Sequence, residues 1–154
     1  MIVRKFIILI LLIVSFFLMV SACAFPKIIV LDDPLSPEEH LNLGVAYEKK
    51  GELDNALKEY QEASKKLPVA YLYMGNIYFQ KNELDEAESH YKKAINKEPE
   101  NADAYNNLAW LYYVRKQHLD EAENLAAKAV ELNPSKKNIY MDTLEKIREL
   151  KKSK

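Results

Sequence analysis

The sequence has little cysteine and little glycine. Among 154 residues it has one cysteine, Cys23, and three glycines. A single cysteine excludes an internal disulfide and a thiolate-rich zinc site. The scarcity of glycine, together with abundant Leu, Ala, Tyr, Glu and Lys, favours helix over sheet. We therefore predict an all-α protein of one domain.

The sequence also lacks an excess of one charge and the usual motifs of enzymes. Its formal net charge is −1, without the clustered basic excess of a nucleic-acid binder. It has no glycine-rich phosphate loop and no Gly-x-Ser-x-Gly elbow. The three histidines, His40, His90 and His118, have no cysteine or paired carboxylate at metal-ligand spacing. We expect no catalytic residue, no metal, no cofactor, no nucleic-acid partner and no small-molecule substrate.

The first 23 residues have the layout of an export signal. Arg4 and Lys5 precede an apolar stretch, residues 6–20, and small residues follow it. The run Val20-Ser21-Ala22-Cys23 resembles the lipobox of bacterial lipoproteins. This resemblance implies that residues 1–22 are a signal peptide cut after Ala22. It also implies that Cys23 is acylated on its thiol and on its new amino group.

An uncleaved membrane anchor is the alternative interpretation of this segment. Residues 6–25 provide about the ~20 apolar residues that a bilayer-spanning helix needs. Either way, we expect the rest of the chain to be exported and tethered to a membrane, with residues 23–36 as an extended tether. Ala24 follows Cys23 where an aspartate would signal inner-membrane retention. If the host is Gram-negative, the expected location is therefore the outer membrane, facing the periplasm.

From Pro37 onward a helical pattern repeats. Apolar residues fall at i, i+3, i+4 and i+7. Small residues recur 31 and 34 residues apart, and prolines recur 31 and 35 apart. The small residues are Gly44, Gly75 and Ala109, and the prolines are Pro68, Pro99 and Pro134.

These positions resemble the tetratricopeptide repeat, whose first helix has Leu-Gly and then Tyr, and whose second has Ala, an aromatic and a closing Pro. The third copy differs from the pattern, with Ala126 where an aromatic is expected. The resemblance implies a right-handed α-α superhelix over residues 37–151, with three helix pairs and a capping helix. The repeats are about 37–68, 69–100 and 101–134, and the cap is 135–151.

Two irregular spacings lead to local expectations. The 31-residue step predicts that the turn at residues 67–69 lacks about three residues of the usual linker. One extra residue at 116–118 is expected to lengthen the turn inside the third pair. Gly75 and its equivalents are expected to let the two helices of a pair approach closely.

The family resemblance also implies a concave groove, lined by the first helix of each pair, that binds a protein or peptide segment. The expected groove residues are Leu41, Asn42, Val45, Leu72, Asn76, Phe79, Asn106, Asn107, Trp110 and Tyr113. Family members that clamp acidic chaperone tails use lysines and an arginine, whereas this chain has Leu41, Asp103 and Asn107 there. We therefore expect a different ligand. In the alternative interpretation, Trp110 packs against the capping helix and the asparagines are generic.

The sequence thus predicts a membrane-tethered adaptor or assembly factor for an envelope complex, such as pilus, secretion or cell-wall machinery. The alternative function is a structural component of a larger envelope assembly with no peptide-binding role. The two differ in whether substitutions in the groove release a partner.

Overall fold

The computed structural model describes residues 34–153, and within them it contains seven α-helices, one 3-10 turn and no strand. Cys23, the predicted signal peptide and most of the predicted tether lie outside the described residues. The helices are α1 Pro37–Lys49, α2 Leu53–Ala63, α3 Ala70–Gln80, α4 Leu84–Lys97, α5 Ala102–Arg115, α6 Leu119–Leu132 and α7 Lys137–Lys152. The 3-10 turn is Pro134–Lys136. The all-α prediction is confirmed.

The first helix begins at a capping box. The Glu39 backbone N–H donates to Ser36 Oγ over 3.2 Å, and the Ser36 backbone N–H donates to Glu39 Oε2 over 2.7 Å. Pro37 occupies the first helical turn, where a missing N–H costs nothing. Two otherwise unsatisfied N–H groups are thus paired at the point where the repeat pattern starts.

The helices form three pairs and a cap. In each pair the second helix packs along the first, and each pair then packs on the next. The final helix, α7, packs against α6 and α5. This arrangement confirms the predicted helical solenoid of three pairs with a capping helix.

Both expectations about turn lengths are wrong. The turns inside the three pairs each contain three residues, 50–52, 81–83 and 116–118, so the extra residue of the third pair extends α5. The connection between the first two pairs, 64–69, is longer than the equivalent connection, 98–101.

The 31-residue step shortens the helices instead. Helices α2 and α3 have 11 residues each, whereas α4 and α5 have 14. Helix α2 ends at Ala63, five residues before Pro68, whereas α4 continues to Lys97, two residues before the equivalent Pro99. The Leu67 N–H still donates to the Ala63 carbonyl over 2.8 Å, which closes the last turn.

In the first two pairs the small residue of the first helix lies against an aromatic ring of the second helix. A Cβ atom on Gly44 would lie 2.5 Å from Cε1 of Tyr60, and one on Gly75 would lie 2.5 Å from Cδ1 of Tyr91. Both tyrosines are buried on the second helix of their pair. The small residue is therefore required by a ring from the partner helix, and the close helix approach follows from that packing.

Candidate functional site

The second and third repeats form a cavity of about 330 Å³. Its lining residues are Asn76 and Phe79 from α3, Tyr91 from α4, and Asn107 and Trp110 from α5. The structure thus brings together four of the residues predicted to line the groove. Tyr91 also lines the cavity, although it was not among the predicted groove residues.

A pair of asparagine side chains forms the polar part of this cavity. Asn107 Nδ2 donates to Asn76 Oδ1 over 2.9 Å. The Tyr91 hydroxyl donates to the same oxygen over 3.0 Å. These bonds leave the Asn76 amide N–H groups and Asn107 Oδ1 without another hydrogen bond within residues 34–153. A donor and an acceptor side by side match the carbonyl and N–H of a peptide main chain.

Aromatic rings form the apolar part. Trp110 stacks on Tyr113 with ring centroids 4.9 Å apart and an interplanar angle of 29°. Lys146 of α7 places its ammonium nitrogen 5.4 Å from the centroid of the Trp110 ring. Trp110 is half-buried. It therefore lines the cavity and also contacts the capping helix.

A second cavity, of about 400 Å³, lies between the first two repeats. It is lined by Val45, Glu48 and Lys49 from α1 and by Tyr73 and Gln80 from α3. Among these, Val45 was a predicted groove residue. The cavity differs from the first because it contains charged side chains.

Four predicted groove residues contribute less than expected or lie elsewhere. Leu72 is only 8% exposed and belongs to the main apolar core. Asn106 is 9% exposed, and its Oδ1 has no hydrogen-bond partner among the described residues. Leu41 packs on the core of the first two repeats, whereas Asn42 is exposed. Leu72 and Asn106 therefore offer a ligand little surface.

The positions that hold basic residues in acidic-tail clamps have another role here. Asp103 Oδ2 pairs with Lys136 Nζ at 2.7 Å, and the Tyr140 hydroxyl donates to Asp103 Oδ1 over 2.8 Å. Asn107 belongs to the asparagine pair described above. Asp103 therefore ties the cap to the third repeat, and it places a carboxylate where such clamps have a cation.

Two of the histidines serve packing and hydrogen bonding. His40 Nδ1 lies 2.7 Å from Glu59 Oε2. His90 lies edge-on to Tyr78, with centroids 5.0 Å apart, and burial lowers the pKa of His90 to about 4. Within residues 34–153 no group of three His, Cys, Asp or Glu side chains is arranged to hold a metal ion. In the same residues no helix is both long enough and apolar enough to cross a membrane.

The chain matches family models for these repeats over more than half of its length. Residues 37–68 and 102–136 match models described as tetratricopeptide repeat, and residues 75–114 match one described as TPR repeat. No curated protein sequence matches the chain.

Solved structures share this fold. One is the first TPR domain of Spaghetti (RPAP3) bound to the HSP90 peptide SRMEEVD, with a TM-score of 0.67 and 23% identity. The match covers 76% of this chain and 94% of that one. Another is the TPR2B domain of yeast Sti1 in complex with an Hsp70 peptide, with a TM-score of 0.68 and 23% identity. That match covers 73% of this chain and 96% of the Sti1 domain.

Proposed function

Because the chain belongs to the tetratricopeptide-repeat proteins, we propose that it is a non-enzymatic adaptor whose concave groove binds a segment of another protein. In this proposal the adaptor is held at an envelope membrane by lipid on Cys23. There it serves a machine of the cell envelope, such as a pilus, secretion or cell-wall complex. The outer membrane, facing the periplasm, is the proposed location in a Gram-negative host.

The cavity of the second and third repeats carries the binding proposal. Asn76 and Asn107 present a donor and an acceptor side by side. The Tyr91 hydroxyl fixes the orientation of Asn76 by donating a hydrogen bond to its Oδ1. Phe79 and Trp110 supply apolar walls on the same cavity. Aromatic residues next to unsatisfied amides suit a main chain with apolar side chains, and Trp is among the residues most enriched in binding hot spots.

The chemistry of the groove argues for a ligand unlike those of the similar solved structures. The RPAP3 domain binds the acidic peptide SRMEEVD. In this chain Leu41 and Asp103 stand where family members place cations for such a tail, so these positions offer an acidic terminus no positive charge. The proposed ligand is therefore a segment with apolar side chains and without an acidic terminus.

The membrane part of the proposal rests on the sequence pattern of residues 4–23. Multiple acyl chains on Cys23 would provide stable anchoring without a spanning helix. The groove would then be held close to the membrane by the short tether between Cys23 and α1.

One labelling and capture experiment tests both parts. The full chain is produced in a bacterial host fed a labelled fatty acid, and its partners are purified with it. We expect the wild type to carry label and to retain one enriched partner. Trp110→Ala is expected to keep the label and lose most of the partner, since truncating a hot-spot residue costs ~2 kcal/mol or more of binding. Cys23→Ala is expected to lose the label.

The matched control is Ile139→Ala, which truncates an apolar side chain that is 61% exposed on α7, outside the groove cavities. This variant should keep both label and partner. If Trp110→Ala lowers thermal stability and capture together while Asn76→Ala with Asn107→Ala changes neither, the groove is not the binding site. A wild-type protein without label would refute acylation.

A further inference from the structure

The first repeat holds one carboxylate rigidly at its groove surface. The Tyr60 hydroxyl donates to Glu48 Oε2 over 2.7 Å. Tyr60 is fully buried, its ring lies against Gly44, and it stacks on Tyr73 with centroids 5.1 Å apart. Burial, together with the neighbouring Glu48 carboxylate, raises the pKa of Tyr60, so the phenol stays protonated and keeps donating. Hydrogen bonds to an ionised acceptor are roughly twice as strong as neutral ones.

This carboxylate has a charge that its surroundings leave unpaired. Within residues 34–153 Glu48 forms no ion pair, and its second oxygen, Oε1, accepts no hydrogen bond. The side chain is half-buried and lines the cavity of about 400 Å³ between the first two repeats. The basic residue on the same cavity, Lys49, is exposed and lies beyond ion-pair distance of Glu48.

The other walls of this cavity suit an aliphatic stem that ends in a cation. Val45 supplies an apolar side chain, and Tyr73 supplies an aromatic ring fixed by its stacking on Tyr60. A cation near the face of an aromatic ring is attracted by the negative charge density of that face. A carboxylate, an aromatic ring and an apolar wall together form a site for lysine or arginine, whose stems bury while their heads remain polar.

We propose that this cavity between the first two repeats, lined by Val45, Glu48, Lys49, Tyr73 and Gln80, binds a lysine or arginine side chain of the segment that occupies the groove. The inference rests on the proposed function, which it deepens by naming a feature of the ligand. Glu48 pairs with the incoming cation through Oε1, while Tyr60 acts as a positioning residue that holds Oε2. The preferred segment is then basic where it meets the first repeat and apolar where it meets Phe79 and Trp110.

A positional-scanning library of heptapeptides tests this inference on the full-length protein in detergent. Each position is fixed in turn as Arg, Lys, Glu, Gln or Leu, and bound peptide is quantified. We expect the wild type to favour Arg and Lys at one position. Glu48→Gln is expected to reduce that preference about tenfold, the effect of losing about 1.4 kcal/mol of a charge-assisted contact. Tyr60→Phe should reduce it by a smaller factor while apolar preferences persist.

The control is Glu100→Gln, which removes an exposed carboxylate in the turn before α5. It should leave the basic preference unchanged. If the wild type binds apolar peptides in a Trp110-dependent manner but shows no basic preference, this inference is wrong and the proposed function stands. A basic preference that survives in Glu48→Gln also overturns it. If no peptide in the library binds, both the inference and the proposed groove function are contradicted.

Discussion

Where the two helices of a pair cross, the size of the residue on the first helix matches the size of the residue that faces it on the second. The first two pairs combine a glycine with a tyrosine 16 residues later, Gly44 with Tyr60 and Gly75 with Tyr91. The third pair combines Ala109 with Ala126, and both alanines are fully buried. The sequence shows the residue at each of these positions, but not that the two positions face each other. The structure shows that the tyrosine ring fills the space beside the glycine.

This packing predicts that substitutions of Gly75 and Tyr91 have non-additive effects on the free energy of unfolding. Gly75→Ala places a methyl group into the Tyr91 ring, and such overpacking typically costs ~1–3 kcal/mol. In a Tyr91→Ala background the ring is absent, so Gly75→Ala should cost nothing or stabilise the helix, because alanine is the better helix former by about 1 kcal/mol. Urea unfolding of the two single variants and the double variant measures this cycle.

Additive effects would contradict the packing account of Gly75. The same cycle on Gly51→Ala and Tyr91→Ala is a suitable control. Gly51 has a φ of +77° and no atom within 4 Å of an added Cβ, so its substitution strains only the backbone. The two changes should therefore add.

At the scale of helices and turns, the repeat spacing predicted the order and number of elements but not where they end. Spacing counts residues between anchor positions, and a residue can be gained or lost in a helix as well as in a turn. The ends depend on local backbone features, such as the left-handed residues Gly51, Asn82 and Lys116 that follow the first helices.

Ion pairs between successive helix pairs could not be predicted from the sequence either. Each second helix has an aspartate in its first turn, where the helix dipole favours a carboxylate. In the structure each of them also pairs with a basic residue of the next pair or of the cap, 27 to 31 residues later. The pairs are Asp54 with Lys81 at 2.8 Å, Asp85 with Arg115, and Asp120 with Lys151 at 2.6 Å.

The pairing of Arg115 predicts a salt-dependent contribution to stability. Arg115 bonds to Asp85 and, at 2.8 Å, to Glu88, which joins the third pair to the second. Burial alone would raise the pKa of Glu88, but hydrogen bonds from Lys92 and Tyr112 and the charge of Arg115 lower it. Arg115→Met should therefore lower the free energy of unfolding at low salt by up to about 1 kcal/mol, the usual range for partly exposed pairs.

Thermal unfolding at 0.01 M and 1 M salt checks this prediction, because screening shortens the Debye length from about 30 Å to 3 Å. The difference from the wild type should shrink at high salt. Lys128→Met provides the control, since Lys128 pairs only weakly with Glu131, at 3.4 Å, inside α6. An Arg115→Met effect that is independent of salt would instead indicate lost packing of the arginine stem.

At the scale of the whole molecule, the family resemblance predicts which positions line a groove but not which of their side chains are accessible. Leu72 occupies the same repeat position as Leu41, yet Leu72 is buried in the main apolar core whereas Leu41 is half-buried. Tyr91 was missed for the opposite reason. Its ring is buried in the core, but its hydroxyl donates a hydrogen bond to Asn76 Oδ1 at the cavity. Accessibility depends on how neighbouring pairs stack, which one repeat alone does not encode.

In the proposed function, Cys23 anchors the protein to the membrane and the groove, which begins in α1, binds the partner. A partner held in the groove would therefore be found beside the membrane, and its contacts would be confined to the concave side. Surface positions on the second helices, such as Lys93 on α4, should not touch it.

Photocrosslinking in living cells tests this claim most directly. A photoreactive amino acid replaces Phe79 in one strain and Lys93 in another, in bacteria fed a labelled fatty acid. We predict that the Phe79 position gives one crosslinked species, that this species is recovered with the membrane and carries the label, and that the Lys93 position gives none. Equal crosslinking from both positions, or none from Phe79 in a folded protein, would contradict the groove as the binding site.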